Sequence, residues 1–313
     1  MFKITVVGAG SVGSTIAYSL AVQSLASEIV LVDINTEKAL GEAMDIRQGM
    51  PFCGPVRVYA GSYADSKDSD IVVITSGIAR RPGQTRIDLC EINVGIIKSV
   101  AESVVKHSPN AIYVIVSNPV DILTHAFVKY SGLPENQIIG SGTILDTSRL
   151  KARISEYYDV SQKNIHAFVL GEHGDTSFVP WSLATVAGQP IDRYKKFSDF
   201  VEELPEFDRD EAENYVRTSG AKVIKRKGAT FYAIALAVCH ICKAISYSTE
   251  TILTVSAPLH GEYGIEDVSL SLMTEVGRKG HGRLITPELT DEELKKLHNS
   301  ADALKAIIKE LKI

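Results

Sequence analysis

The segment Val169-Leu170-Gly171-Glu172-His173-Gly174-Asp175 places a histidine among glycines just after an apolar run, where a turn can present its ring to a cleft. Read alone, a turn histidine without a chemical role describes it better. Upstream, Asp146 and Arg149 lie three apart in a helical pattern and so share a face. On their own they read equally well as a capping box between Thr143 and Asp146, with Arg149 paired to Asp146. A third group is Gly8-Ala9-Gly10-Ser11-Val12-Gly13, followed twenty residues later by Asp33. Such a glycine string is common in plain turns, but here it directly follows the apolar run Ile4–Val7 and opens a helical pattern through Val12, Ile16 and Leu20. In that setting Gly8 permits a tight turn, Gly10 lets the main chain approach a pyrophosphate, and Gly13 allows close helix–sheet packing. The unpaired N–H groups and positive dipole of the helix start suit phosphates. Asp33 can accept from ribose hydroxyls and repel a 2′-phosphate, so the spacing predicts NAD rather than NADP. The alternative is a glycine-rich turn with Asp33 capping the next helix.

Groups this scattered need a framework. Short, β-branched apolar runs at Lys3–Val7, Ile29–Val32, Val56–Tyr59, Ile71–Thr75 and Ile112–Val116 have the mark of parallel strands buried on both faces. Helical patterns such as Thr36–Arg47 and Arg86–His107 separate them. This alternation predicts an α/β fold with a Rossmann-type doubly wound parallel sheet over residues 1–142. Near residue 142 the pattern changes. A helix is expected over Thr143–Tyr158, apolar runs over Ile165–Leu170 and Phe178–Val186, and one long helical stretch from about Asp210 to Ser246. Strand-like runs follow at Ile252–Pro258, Val268–Val276 and Gly280–Ile285, and Thr290-Asp291-Glu292-Glu293 announces a terminal amphipathic helix. Residues 143–313 are therefore expected to form a C-terminal α+β catalytic domain with antiparallel strands.

Composition removes several classes. The 313-residue chain carries a net charge of −5, so no broad basic field attracts nucleic acid or an acidic membrane. Met1-Phe2-Lys3 leads straight into a strand-like run, unlike an export signal. The longest apolar stretch, Ala229–Cys242, falls short of the roughly 20 residues a bilayer needs and contains His240. A soluble, cytoplasmic protein is expected. Four cysteines make no disulfide framework; Cys239 and Cys242 read as buried core thiols rather than a metal or redox pair, and Cys53 and Cys90 have no evident partner. No metal site is expected.

Taken together, these segments resemble the lactate/malate dehydrogenase family over essentially the whole chain. The motifs in family order are the glycine string with Asp33, Arg80-Arg81-Pro82-Gly83-Gln84-Thr85-Arg86, Ser117-Asn118-Pro119, the Asp146/Arg149 segment, Gly171–Asp175, and Lys227-Gly228-Ala229-Thr230. The resemblance implies an NAD-dependent enzyme that moves hydride between a small L-2-hydroxy acid and its 2-keto acid. His173 is then the general base and acid. Asp146 fixes its tautomer and stabilises the imidazolium, Arg149 grips the substrate's C1 carboxylate, and Arg86 polarises the keto oxygen. Asn118 bonds near the nicotinamide and the reacting oxygen, and Thr230 lines the pocket. Gly8, Gly10, Ser11, Val12, Gly13, Asp33, Gly77, Ser117 and Asn118 form the cofactor site. Gly77–Leu89 corresponds to the family's lid.

The family separates its substrates largely six residues before the polarising arginine, with Gln in the lactate branch and Arg in the malate branch. This chain has Arg80 there. Facing pyruvate's methyl group under a dry lid, that arginine would be a stranded charge costing roughly 3–5 kcal/mol; facing a second carboxylate it gains a charge-assisted bond. The expected substrate pair is malate/oxaloacetate, with lactate/pyruvate as the alternative. Thr230 and the segments Gly140–Thr147 and Gly171–Asp175 look more like the lactate branch. Lys151 and His166 occupy positions where bacterial lactate dehydrogenases carry an Arg and a His for fructose 1,6-bisphosphate, so they form a candidate allosteric phosphate site, with Lys less suited than Arg to bidentate recognition. The resemblance further suggests a homodimer or homotetramer. Two rivals are an NAD-binding sensor without chemistry, which has no need of His173, Asp146, Arg149 and Arg86 together, and a metal-dependent NAD glycosidase.

Overall fold

The computed structural model describes residues 2–79, 83, 85–194 and 207–313. Six parallel strands form the first part: β1 (Lys3–Val7), β2 (Glu28–Val32), β3 (Arg57–Ala60), β4 (Ile71–Ile74), β5 (Ile112–Ile115) and β6 (Ile138–Gly140). Their spatial order, β3-β2-β1-β4-β5-β6, reverses direction between β1 and β4. That switch point opens a crevice at the carboxyl ends of the strands, where doubly wound sheets bind ligands. β-branched side chains fill both faces, and β2 and β4 are buried throughout. Helices α1 (Ser11–Val22) and α2 (Thr36–Gly49) cover one face; α3 (Arg86–Val104) and α4 (Val120–Ser131) cover the other.

Beyond residue 143 come α5 (Ile144–Tyr158), then a small antiparallel sheet of β7 (Ile165–His166), β8 (Thr185–Val186) and β9 (Gln189–Pro190). Helices α6 (Arg209–Lys227) and α7 (Tyr232–Tyr247), strands β10 (Thr251–His260), β11 (Glu266–Gly277) and β12 (Gly280–Ile285), and α8 (Asp291–Leu311) complete the chain. The capping box expected before α8 is formed, with Thr290 and Glu293 exchanging bonds. A third core, centred on Leu150, Ile154, Val169, Trp181 and Val216, packs α5 and α6 around the small sheet.

Several elements differ from the sequence expectation. The long helical stretch from 210 to 246 is two helices, broken at Gly228–Phe231. Only Ile165 and His166 of the run Ile165–Leu170 form a strand; Leu170 then bridges Phe178, and the chain turns away. The antiparallel strands β10–β12 do not make a separate sheet. β10 pairs with β6 at Ser256 and Gly140, so one nine-stranded sheet runs through both parts. Strand β6 and helix α4 had no sequence reading; β6 is only three residues long, below the length at which periodicity speaks. No described helix is long and apolar enough to cross a membrane.

Candidate active site

At the switch point the glycine turn is held by its surroundings. Gly8 N–H donates to Val32 O at 2.7 Å, and Thr75 at the end of β4 donates its hydroxyl to Gly8 O at 3.0 Å. Gly8 has φ +104°, and a Cβ at Gly13 would collide with the Gly8 carbonyl oxygen, so neither position accepts a side chain. Around Gly10, by contrast, nothing lies within 4 Å of a Cβ position, and the start of α1 carries no side-chain cap. With no side chain capping them, its first N–H groups suit the phosphates of a dinucleotide. Asp33 accepts from Ala9 N–H at 2.6 Å and Asn35 N–H at 2.8 Å. The cap of α2 is Asn35, which accepts from Lys38 N–H, so Asp33 ties the glycine turn to the capping residue and is not itself the cap. Asp33 also borders a second hollow, with Ile34 and Tyr63, at the far side of the turn. The residues present thus fit the adenosine and pyrophosphate portions of NAD.

The main cavity, about 520 Å³, adjoins this turn. Val12, Gly77, Ser117 and Asn118 line it on the nucleotide side; Asp146, Arg149, His173 and Thr230 line it on the other. Thr230 arrives there because the chain breaks between α6 and α7. Ser117 donates to Ser76 O at 2.6 Å. Asn93, fully buried on α3, accepts from Ile78 N–H at 2.9 Å and donates to Asn118 O at 2.8 Å, tying the 77–79 segment to the Ser117-Asn118 turn. Sequence reading missed Asn93. Its signal was an amide in an apolar helix, which must find partners once buried.

His173 Nδ1 lies 2.5 Å from Asp146 Oδ2, and Arg149 Nη1 donates to Asp146 Oδ1 at 2.8 Å. The simple pairing of Asp146 with Arg149 and its service to His173 therefore coexist. No capping box forms between Thr143 and Asp146. Thr143 instead donates its hydroxyl to Val169 O at 2.5 Å, fixing the start of α5 against the segment that leads to His173. Asp146 is buried, which disfavours its charge, but the His173 imidazole and the Arg149 guanidinium outweigh that and hold its carboxyl below the usual range. Burial likewise pushes His173 down, yet the ionised Asp146, with Asp121 behind it, raises the ring above the ordinary histidine value. With Nδ1 engaged by Asp146, Nε2 is the nitrogen left for a ligand. The arrangement favours a proton on the ring and can transfer it, beside a guanidinium able to pair with a carboxylate.

On α6 a second guanidinium borders the cavity. Arg217 donates to Glu213 at 3.0 Å and to Ser177 O at 3.1 Å, and Glu213 accepts from the indole of Trp181 at 2.8 Å. Sequence gave no sign of the whole chain of bonds because its members come from two distant segments, residues 177–181 and α6. The readings of Arg80 and of the Arg86 side chain lie outside the described residues, as does most of the tip of the predicted lid; Arg86 itself opens α3. Lys151 lies half-buried with its ammonium 5.9 Å from the Phe168 ring centroid, and burial lowers its pKa; His166 is exposed on β7. Cys239 and Cys242 are free, buried core thiols, as read from their helical setting. Among the described residues no cluster of His, Cys, Asp and Glu could hold a metal ion.

Comparison with known proteins gives a consistent picture. The lactate/malate dehydrogenase NAD-binding domain profile matches residues 2–140, and the family's alpha/beta C-terminal domain profile matches residues 143–312. An L-lactate dehydrogenase of Acetivibrio thermocellus is 48% identical, covering 99% of this chain and 98% of its own. One from Thermoanaerobacter pseudethanolicus is 45% identical over the full length of both. Among solved structures, a lactate dehydrogenase from a deep-sea metagenome library has a TM-score of 0.94 at 38% identity, covering 100% of this chain and 99% of its own. The minor L-lactate dehydrogenase of Enterococcus mundtii gives 0.93 at 38%, covering 99% and 98%.

Proposed function

The chain belongs to the lactate/malate dehydrogenase family, and from that premise we propose that it is a cytoplasmic L-lactate dehydrogenase interconverting L-lactate and pyruvate. It is an NAD-dependent oxidoreductase that acts on the CH–OH group of a small 2-hydroxy acid. The lactate assignment is carried by whole-chain similarity to proteins named L-lactate dehydrogenase at 45–48% identity. These relatives favour the alternative over the malate expectation, which rests on Arg80 alone and finds no support among them.

NAD, when bound, supplies the hydride acceptor at its nicotinamide, and NADH the donor. The protein's own groups do the rest. In this reading His173 Nε2 takes the hydroxyl proton during oxidation and returns it during reduction. Asp146 keeps Nδ1 protonated and stabilises the imidazolium. Arg149, with Nη1 on Asp146, turns its remaining donors to the substrate carboxylate. Asn118 and Ser117 border the reacting end of the cofactor, Thr230 the substrate side chain, and Arg86 polarises the keto oxygen. The division between nucleotide and substrate parts falls at 142/143. Assembly into a homodimer or homotetramer suits the exposed Tyr18 of α1 and Tyr232 and Leu236 of α7, two helices that pack together. Lys151 and His166 remain the candidate site for a bisphosphate activator.

The deciding experiment compares kcat/KM for pyruvate and oxaloacetate with NADH, with and without fructose 1,6-bisphosphate, in the unmodified chain and in Arg80→Gln. Pyruvate is expected to win in the unmodified enzyme. Oxaloacetate winning, with the preference reversed by Arg80→Gln, would return the assignment to malate.

A further inference from the structure

The main-chain N–H of His173 donates to Asp121 Oδ2 at 2.7 Å. Asp121 is only 2% exposed and stands in the first turn of α4, directly after Ser117-Asn118-Pro119. One short segment thus lines the cofactor side of the cavity and anchors the histidine on the opposite side. The other carboxyl oxygen, Oδ1, has no partner of hydrogen-bonding geometry among the described residues, and neither does the neighbouring Ser256 hydroxyl of β10. A carboxylate so placed is more than an anchor. An amide oxygen would hold the same N–H without the expense of burying a charge, so the charge itself needs a use.

We propose that Asp121 is a positioning residue for His173, fixing its main chain by a hydrogen bond and setting by its negative charge the pH range over which the ring keeps its proton. The proposal rests on His173 being the proton carrier, but not on which 2-keto acid is the substrate. The charged and titratable groups around the pair come from three elements and one loop. Asp146 and Arg149 of α5 flank the ring, Asp121 of α4 lies behind it, and Glu172 of the His173 loop acts on Asp121, as does the Ser256 hydroxyl of β10. Burial outweighs the downward pull of Ser256 and of the His173 main chain and ring, and leaves the Asp121 carboxyl raised to about 6. It is therefore ionised at neutral pH, helped by the positive end of α4. The charge of Asp121 raises the pKa of His173, and that of His173 lowers the pKa of Asp121. Removing the negative charge lowers the histidine pKa. Reduction needs the protonated ring, so its activity, present below that pKa, must then be lost at a lower pH. Oxidation, which needs the neutral ring, must begin at a lower pH.

The test measures pH profiles of kcat/KM in both directions for the unmodified chain, Asp121→Asn, Asp121→Ala and Ser256→Ala, with NADH affinity by fluorescence. Asp121→Asn keeps an acceptor for the N–H, and its profiles are expected to move down by roughly half to one pH unit. Asp121→Ala also loses the anchor, and kcat is expected to fall a further tenfold or so, with NADH affinity within about twofold. Ser256→Ala removes a group that favours the ionised carboxyl and is expected to shift the profiles the same way by less. It decides the matter if the Asp121 variants do not fold. Profiles of Asp121→Asn or Ser256→Ala that coincide with the unmodified enzyme would overturn the proposal, as would equal kcat losses in Asn and Ala variants with unmoved pH limbs. His173→Asn separates the underlying reading: retained turnover there means His173 is not the proton carrier, whatever Asp121 does.

Discussion

On one wall of the cleft, between Gly8 and Ser14, the working groups are main-chain N–H donors and the absence of side chains. On the other, the working groups are ionisable side chains, with Asp146 within hydrogen-bond distance of both Arg149 and His173. The first wall is rigid because Val32 and Thr75 hold the Gly8 turn and Asp33 holds Ala9. The second is held by charge, and each group there has a protonation state that depends on its neighbours. A wall of main-chain donors binds at any ordinary pH; a wall of coupled charges works only in the pH window its members set for one another. Dinucleotide binding and proton transfer should therefore fail independently.

The sharpest break is His173→Asn, which removes the only group of the second wall able to carry the proton in this reading. kcat should fall roughly a thousandfold, while fluorescence titration with NADH gives an unchanged affinity. Parallel losses in both would mean that the walls are one unit. Gly13→Val does the reverse. Its Cβ meets the Gly8 carbonyl oxygen, main chain that cannot swing away, so α1 must shift. NADH binding should weaken by tenfold or more, with a stability loss of about 1–3 kcal/mol by thermal melting, and the pH limbs should stay in place. The smallest effect is expected of Asp33→Ser, which keeps an acceptor near Ala9 but removes the charge. NADH binding should weaken several-fold, and discrimination against NADPH should drop by about tenfold through loss of repulsion with the 2′-phosphate. Unchanged discrimination would move that role away from Asp33.

The two walls also differed in how far sequence could reach them. Gly8, Gly10 and Gly13 are local: their spacing, the strand before and the helix after all lie within twenty residues, so the turn could be read directly. The types of Asp146, Arg149 and His173 were visible, and the helical spacing put the first two on one face. Their meeting with His173 came only through the family resemblance, because it depends on Thr143 reaching Val169 across the chain, which no local pattern encodes. Asn93 and Asp121 were missed for the same reason. Asn93 joins Ile78 to Asn118, and Asp121 joins α4 to a loop 52 residues away. The break between α6 and α7 was read through as continuous helix although its signal is local: Gly228, at φ +83°, caps the end of α6. The continuous sheet depends on Ser256 meeting Gly140, a pairing that no local pattern encodes.

The bonds from Trp181 through Glu213 to Arg217 have an optical consequence. The chain contains a single tryptophan, so its tryptophan emission comes from one place, within the core that packs α5 and α6 around the small sheet. The indole donates to a carboxylate whose other oxygen pairs with a guanidinium at the cavity edge. An anion that draws on that guanidinium alters the field at the indole, and emission should change in wavelength or intensity as substrate binds. The enzyme thus carries its own fluorescent reporter, linked through Glu213 and Arg217 to the edge of the substrate cavity and needing no label.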